Sequence, residues 1–382
     1  MNGPLQREPE HPPAPFVIAP ALSTPEYLDS LPPFASLETG KDIRSPEEIM
    51  GRLATLEPVQ GLCRLLGIRH PILQAGMGHV AHGELAAAVS EAGGLGVIGA
   101  GPMTPDDLRR QICLVRERTS QPFGVDILFA RTDQASGSGY TSQVDDQIGV
   151  VLEERVPVLI SGLGNPLGVV QQAHDQGMVV MSLVGNVRQA RRLAAAGVDA
   201  IIASGCDGGG HVGTVGTAAL VPQVVDAVSV PVVAGGGLSD GRSLVAALAW
   251  GACGIWLGTR FIATQEARAH HNYKDKLVAI DEEGTIVTRA HSGKPVRMVR
   301  NTFTATWAGR EAEIKPYPWQ LLEVGLPASI AGRIEGDVEH GVLPAGQGAG
   351  LIADVPSAGE VVARIVQQAE SLLARLSGAA GA

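Results

Sequence analysis

An α/β fold closed into a parallel barrel of eight strands is predicted from two features of this chain. A strand–helix rhythm recurs eight times between residues 72 and 270, and the glycine-bearing segments fall where those strands end. Short Val/Ile/Leu runs of strand length alternate with alanine-rich amphipathic segments of helix length, separated by glycine or proline. Several helices close on the same wording, Ala92-Gly93, Ala196-Gly197 and Trp250-Gly251, where a C-cap calls for a positive φ. Eight such units of roughly 20–30 residues match a (β/α)8 barrel. An open doubly wound sheet is the alternative.

The expected strands are 72–75, 96–98, 123–127, 158–160, 179–183, 200–203, 232–234 and 254–257. Helices are expected at 83–92, 105–119, 142–154, 166–175, 187–196, 217–228, 240–250 and 265–270. Residues 1–58 form a proline-rich extension ahead of a barrel spanning 59–272. The rhythm then breaks. Residues 273–345, with Trp307 and Trp319, read as a cap or side subdomain with weak helix patterns. Residues 346–382 supply a glycine-rich return and an amphipathic terminal helix from 357 to 376.

The formal net charge is −10 over 382 residues, and the pI is near 5.5. Arg109-Arg110 and Arg191-Arg192 are isolated pairs without interleaved aromatics and read as solvated helix faces, so no nucleic-acid partner is expected. Cys63, Cys113, Cys206 and Cys253 form no CxxC pair, which argues against a zinc site or disulfide framework and fits a reducing compartment. No apolar run reaches about eighteen residues and no signal pattern opens the chain. A cytoplasmic protein without a membrane partner is expected.

In a barrel, ligands meet the C-terminal ends of the strands. Gln74-Ala75-Gly76-Met77 falls after the first strand, Asp126 at the end of the third, Ser161-Gly162 after the fourth and Ser182 at the fifth. Gly205 to His211 follows the sixth, Gly235-Gly236-Gly237 the seventh and Gly258-Thr259 the eighth. Glycine runs bring backbone N–H groups close to a flat or phosphorylated ligand, and the last two strand ends are where this architecture holds phosphate. The plainer reading is that these glycines only turn strands into helices. His211 carries a titratable imidazole beside three glycines and is the candidate proton acceptor. Cys206 is a weaker candidate, as a reactive thiol. His79 and His82 could line the pocket, whereas His270-His271 reads as a surface pair, and no cluster has metal-ligand spacing. Gly93-Gly94-Leu95-Gly96 precedes a strand instead of following one, so it is no dinucleotide fingerprint.

Gln74-Ala75-Gly76-Met77, the run Gly205-Cys206-Asp207-Gly208-Gly209-Gly210-His211-Val212-Gly213, Gly235-Gly236-Gly237, Gly258-Thr259-Arg260-Phe261 and Ala345-Gly346-Gln347-Gly348 resemble the signature segments of nitronate monooxygenases. These were formerly called 2-nitropropane dioxygenases, and flavin-dependent enoyl-acyl-carrier-protein reductases are relatives. The resemblance runs from about residue 62 to the end. It implies a TIM barrel with non-covalent FMN. It would place Ala75, Gly76 and Met77 over the flavin ring and Gly209 and Gly210 along the ring and ribityl chain. Gly235, Gly236, Gly258 and Thr259 would hold the phosphate, with Gly237 in the same run. Gln347 would reach the flavin from the return, and Asp126 and Ser182 complete the cofactor set. His211 matches the family's catalytic histidine, as proton acceptor or substrate-binding group. The implied reaction is oxidation of an alkyl nitronate by O2 to a carbonyl compound and nitrite. The alternative is an NAD(P)H-dependent FMN reductase of enoyl thioesters, quinones or a specialised-pathway intermediate, and a third is a redox-silent binding protein. The expected partners are a small-molecule substrate and O2, with a homodimer left open. Two departures stand out: Asp207-Gly208 where the family has Glu-Ala, and Asp126 where many members have Asn. An ionised Asp126 could not donate a hydrogen bond as an amide does.

Overall fold

A computed structural model describes residues 51–129 and 140–377; most of the proline-rich extension therefore lies outside the described residues. The barrel strands are β1 (Ile72–Gln74), β2 (Gly96–Gly99), β3 (Phe123–Phe129), β4 (Val158–Gly164), β5 (Val179–Val184) and β6 (Ala200–Ser204). After a two-residue strand outside the barrel, β7 (Gly210–His211), come β8 (Val232–Gly235) and β9 (Gly254–Leu257). The eight pair in parallel in the spatial order β1-β9-β8-β6-β5-β4-β3-β2. A parallel bridge between Leu73 and Leu95 joins β1 to the start of β2 and closes the ring. Gln74 strengthens that short seam. Its buried amide donates to Val97 O at 3.1 Å and accepts from Val97 N at 2.9 Å. This is a TIM barrel, as the rhythm predicted.

Strand alternation sorts side chains into two cores. Leu73, Val97, Ile160, Met181, Ile202, Val233 and Trp256 fill the interior. Val125, Ile127, Leu159, Val180, Val184, Ile201 and Ala203 face the helical layer. The capping chemistry agrees with the sequence. Thr104, Asn186, Asp240 and Ser357 accept backbone N–H groups at the starts of their helices. Gly93, Gly197 and Gly251 take the left-handed φ values of 93°, 90° and 88° that their Ala-Gly or Trp-Gly contexts required.

Two expectations need correction. No helix spans 265–270. A short helix, Thr259–Ile262, opens directly after β9, and the next is His271–Ala279. Between them burial alternates, with Ala267 and Ala269 inward and Arg268 exposed, which is the period of an extended segment. The second concerns 273–345, where the weak helices expected are present, at Thr302–Trp307 and Leu326–Ile330, but strands were not expected. An antiparallel hairpin of β10 (Thr285–Thr288) and β11 (Val296–Val299) stands there, and β7 adds to its free edge with His211 opposite Val296 and Gly210 opposite Arg297. Wide turns of the π type at Leu321–Gly325 and Ala331–Glu335 flank the helix Leu326–Ile330. The terminal helix, Ala358–Leu376, buries Val361, Val362, Ile365 and Val366 against the barrel helices, and its Gln368 accepts from Gly241 N at 3.0 Å. No described helix is long and apolar enough to cross a membrane.

Candidate active site

At the C-terminal end of the barrel, the three glycine runs interlock. Gly205 N donates to Gly235 O at 3.0 Å, binding the loop after β6 to β8. Gly209 approaches the return so closely that a Cβ there would sit 2.8 Å from the Ala345–Gly346 backbone. Gln347 N donates to Asp207 O at 2.8 Å, and Gly346 N to Thr259 Oγ1 at 2.9 Å. Tyr273, buried in the core, anchors the return through its hydroxyl on Pro344 O at 2.5 Å. Asp207, one of the departures noted above, has a structural task. Its carboxylate accepts Thr217 N at 2.6 Å at the start of the helix Thr217–Val225, whose own N-cap, Gly216, has no side chain. Asp207→Ala is expected to cost about 1 kcal/mol of stability, lowering the melting temperature by about 2 °C. A thermal melt checks this.

These loops leave donors free. Gly236 and Gly237 adopt φ values of 99° and 71°, which turn their N–H groups away from the strand ladder. Among the described residues, the N–H groups of Gly236, Gly237, Gly258 and Thr259 have no acceptor. Four such donors on adjacent strand ends form a cradle for an anionic group such as a phosphate ester. The Thr259 hydroxyl accepts from Gly346 N and keeps its own proton to donate.

Next to this cradle lies the chain after β1, the strand paired with β9. Ala75 N donates to Leu257 O at 2.8 Å, and Ala75 and Met77 both flank Gly258, within 3.7 Å of where its Cβ would be. Asp126 lies deeper than expected. β3 continues three residues past it, and its register partners are Gly99 and Ile160. It is 6% exposed, and its Oδ1 has no hydrogen-bond partner. A side chain on either Gly76 or Gly162 would collide with it. Burial pushes its carboxyl up to about 8, against a lowering by the Gly162 backbone.

His211 is held by the β7–β11 ladder on an exposed residue position, while its ring is surrounded by protein. Its Nε2 lies 2.8 Å from the fully buried Ser292 Oγ, so Nδ1 is the nitrogen without a partner among the described residues. Surrounding protein, then Lys294 and Arg333, push the imidazole down to about 4. The imidazole is therefore neutral at pH 7. The His291 ring stands 5.9 Å away, with its Nε2 3.2 Å from Ser329 Oγ. Arg333 comes from the second π turn and donates to Gly78 O at 3.1 Å and Val342 O at 3.4 Å. Among the described residues it has no carboxylate partner, and its charge also depresses His79 and His291. His79 holds a φ of 66°, a left-handed conformation uncommon for a non-glycine residue.

Residues 60–368 match the sequence model of the family described as nitronate monooxygenase. The chain belongs to the nitronate monooxygenase family. It is 34% identical over 347 residues to a Mycobacterium tuberculosis protein named (3aS,4S,5R,7aS)-5-hydroxy-7a-methyl-1-oxo-octahydro-1H-indene-4-carboxyl-CoA dehydrogenase, covering 81% of this chain and 95% of that one. A probable nitronate monooxygenase of Staphylococcus aureus is 32% identical over 352 residues, covering 82% and 98%. Among solved structures, FabK from Thermotoga maritima superposes with a TM-score of 0.76 at 40% identity, covering 83% of this chain and 98% of that one. A nitroalkane oxidase from Streptomyces ansochromogenes gives 0.75 at 31% identity, covering 83% and 99%. The chain is thus an oxidoreductase of the nitronate monooxygenase family.

The structure brings Ala75, Gly76, Met77, Gly209, Gly210, Gly235, Gly236, Gly237, Gly258, Thr259 and the Gln347 segment to the C-terminal ends of the strands, with Asp126 deeper in the barrel. Gly210 faces open space, and the Gln347 side chain is exposed. Ser182 is not brought in. Alternation puts it with Val180 and Val184 on the helix-facing side, fully buried, beside Ser161 in register. Cys206 is no thiolate, because burial and the Asp207 carboxylate raise its pKa. His270 and His271 stack on each other at 4.2 Å, and His270 caps Asn272 N. No group of three His, Cys, Asp or Glu residues among the described residues could hold a metal ion. Arg109 ties to Glu153 and Glu154 on the helical layer. Ser292, His291, Lys294 and Arg333 carry no signal in the sequence. They sit in the irregular segment, where no periodicity marks a residue for the mouth.

Proposed function

We propose that the chain is an FMN-dependent oxidoreductase acting on a carbon acid whose anion is held beside His211. One observation carries this reading: a neutral imidazole, its Nδ1 unpartnered among the described residues, lies in the field of Lys294 and Arg333, for which no described carboxylate forms an ion pair. The free N–H groups of Gly236, Gly237, Gly258 and Thr259 fit the FMN phosphate, with Gly235 at the base of the run. Ala75, Gly76, Met77 and Asp126 would face the ring, and Gly209, Gly210 and Gln347 would line it. Bound FMN supplies two-electron oxidation and reduction. On a neutral carbon acid His211 would take the substrate proton at Nδ1, with Ser292 fixing the ring through Nε2; on a pre-formed alkyl nitronate, which has already lost that proton, only the anion is held there. Arg333 and Lys294 hold the negative charge that develops.

The first substrate class is an alkyl nitronate, oxidised by O2 to a carbonyl compound and nitrite. A second is an acyl thioester, a class favoured by the 34% identical relative, whose name is that of a carboxyl-CoA dehydrogenase; in the reducing direction the electrons would come from NAD(P)H and the acceptor would be the enoyl thioester. Nitrite release under air from propyl-2-nitronate supports the first class. Its absence, with NAD(P)H oxidation dependent on an enoyl thioester, supports the second. Failure of both overturns the proposal.

The depressed His211 value also fixes a pH profile. Protonation disables a base, so a lowered pKa keeps the base competent to lower pH. The acidic limb of kcat/KM is expected between pH 4 and 5, not near the ordinary 6.5. Initial rates across pH 4–8 with a substrate that does not titrate in that range measure it.

A further inference from the structure

We propose that Asp126 is held as the un-ionised carboxylic acid and acts as a hydrogen-bond donor to the bound cofactor ring. This rests on the FMN reading. The side chain points to the barrel interior, on the same face of β3 as Gly124 and opposite to Val125 and Ile127. It is wedged between Gly76 after β1 and Gly162 of β4, neither of which leaves room for a Cβ. With 6% exposure and an unpartnered Oδ1, a carboxylate there would be a buried charge met only by the Gly162 backbone, with no counterion among the described residues.

No cation rescues it. The segments against it are 72–79, β2 (Gly96–Gly99) and β4 (Val158–Gly164). Their one titratable side chain is His79, which is itself pushed down to about 4 and is neutral at pH 7. The pocket therefore keeps the proton, and burial raises the Asp126 carboxyl to about 8. A protonated carboxyl offers one O–H donor and one acceptor oxygen, which is the polarity of an amide's NH2 and C=O. The Asp in place of the family's Asn then preserves the contact instead of removing it. It adds one property the amide lacks: the donor disappears when the pH rises.

The sign follows from the raised value. The folded chain keeps a proton that the unfolded chain releases near pH 4, so this group's contribution to stability falls as pH rises from about 4 to about 8. Above that, the ionised form both loses its donor and strains the site.

Two measurements test this. Quenching of FMN fluorescence by apoprotein gives the affinity between pH 6.5 and 9.5 for wild type, Asp126→Asn and Asp126→Ala. The wild-type affinity should fall roughly tenfold per pH unit above about 8. Asp126→Asn should bind within about threefold of wild type at pH 7 without that fall, and Asp126→Ala at least about tenfold more weakly throughout. The melting temperature of the apoproteins between pH 5 and 9 gives the second readout. Relative to Asp126→Asn, wild type should lose stability as pH rises. A wild-type affinity parallel to that of Asp126→Asn at all pH values overturns the proposal, as does a folded Asp126→Asn that no longer binds FMN. Should wild type bind no FMN at any pH, the cofactor reading and the donor role fail together. The melting comparison still decides whether Asp126 is un-ionised.

Discussion

Replacing His211 with asparagine is expected to lower kcat by about 10²–10⁴-fold on a neutral carbon acid. The affinity for FMN should stay within about threefold of wild type. The residue reaches the mouth on a two-residue strand held by Val296 and Arg297, so its removal leaves the glycine cradle untouched. Asparagine keeps a polar group near Ser292 but cannot take a proton near neutral pH. A pre-formed nitronate no longer needs that step, and on it the loss should shrink to about tenfold. This split separates proton transfer from substrate binding, a choice the residue pattern alone left open. Equal losses on both substrates would make His211 a binding group. An unchanged kcat on both would remove it from the mechanism.

Arg333→Met is expected to raise KM for an anionic substrate by about 10–100-fold, with FMN affinity unchanged. The guanidinium spends one N–H on Gly78 O and one on Val342 O, and its remaining donors have no carboxylate among the described residues. A charge-assisted hydrogen bond to substrate is worth about 1.5–3 kcal/mol, which sets that range. Arg333→Lys should recover part of the loss, because it restores the charge without the planar fork. A purely structural role predicts a different pattern: Arg333→Met would lower the melting temperature and the FMN affinity together. Steady-state kinetics and a thermal melt on the two variants distinguish these outcomes.

The barrel was legible because each unit repeats the same physical signals. Strands flanked on both sides by core read as unbroken Val/Ile/Leu runs, and glycines such as Gly93 and Gly197 mark helix ends through a backbone conformation that other residues avoid. The glycine cradle was legible for a related reason: close approach of the Ala345–Gly346 backbone permits no Cβ at Gly209. Depth was not legible. Asp126 was placed at the end of its strand, whereas β3 runs on to Phe129 and buries the carboxyl at the level of Ile160. The face of a short-strand residue is also hidden in the sequence: at Ser182, β5 alternation turns the hydroxyl toward the helices. The part with least signal was 273–345. The pairing that holds His211 is between residues more than eighty positions apart, and it leaves only a four-residue trace in β11. Arg333 lies on a π turn whose period matches neither helix nor strand templates.

The measurement that tests the central claim most directly is the anaerobic visible absorption spectrum of the purified protein. It would be recorded after incubation with FMN and desalting, then after adding propyl-2-nitronate or NADPH in separate cuvettes. The account predicts a retained flavin spectrum that bleaches with one of the two. A protein that stays colourless after desalting, or a bound flavin that neither reagent bleaches, would contradict it.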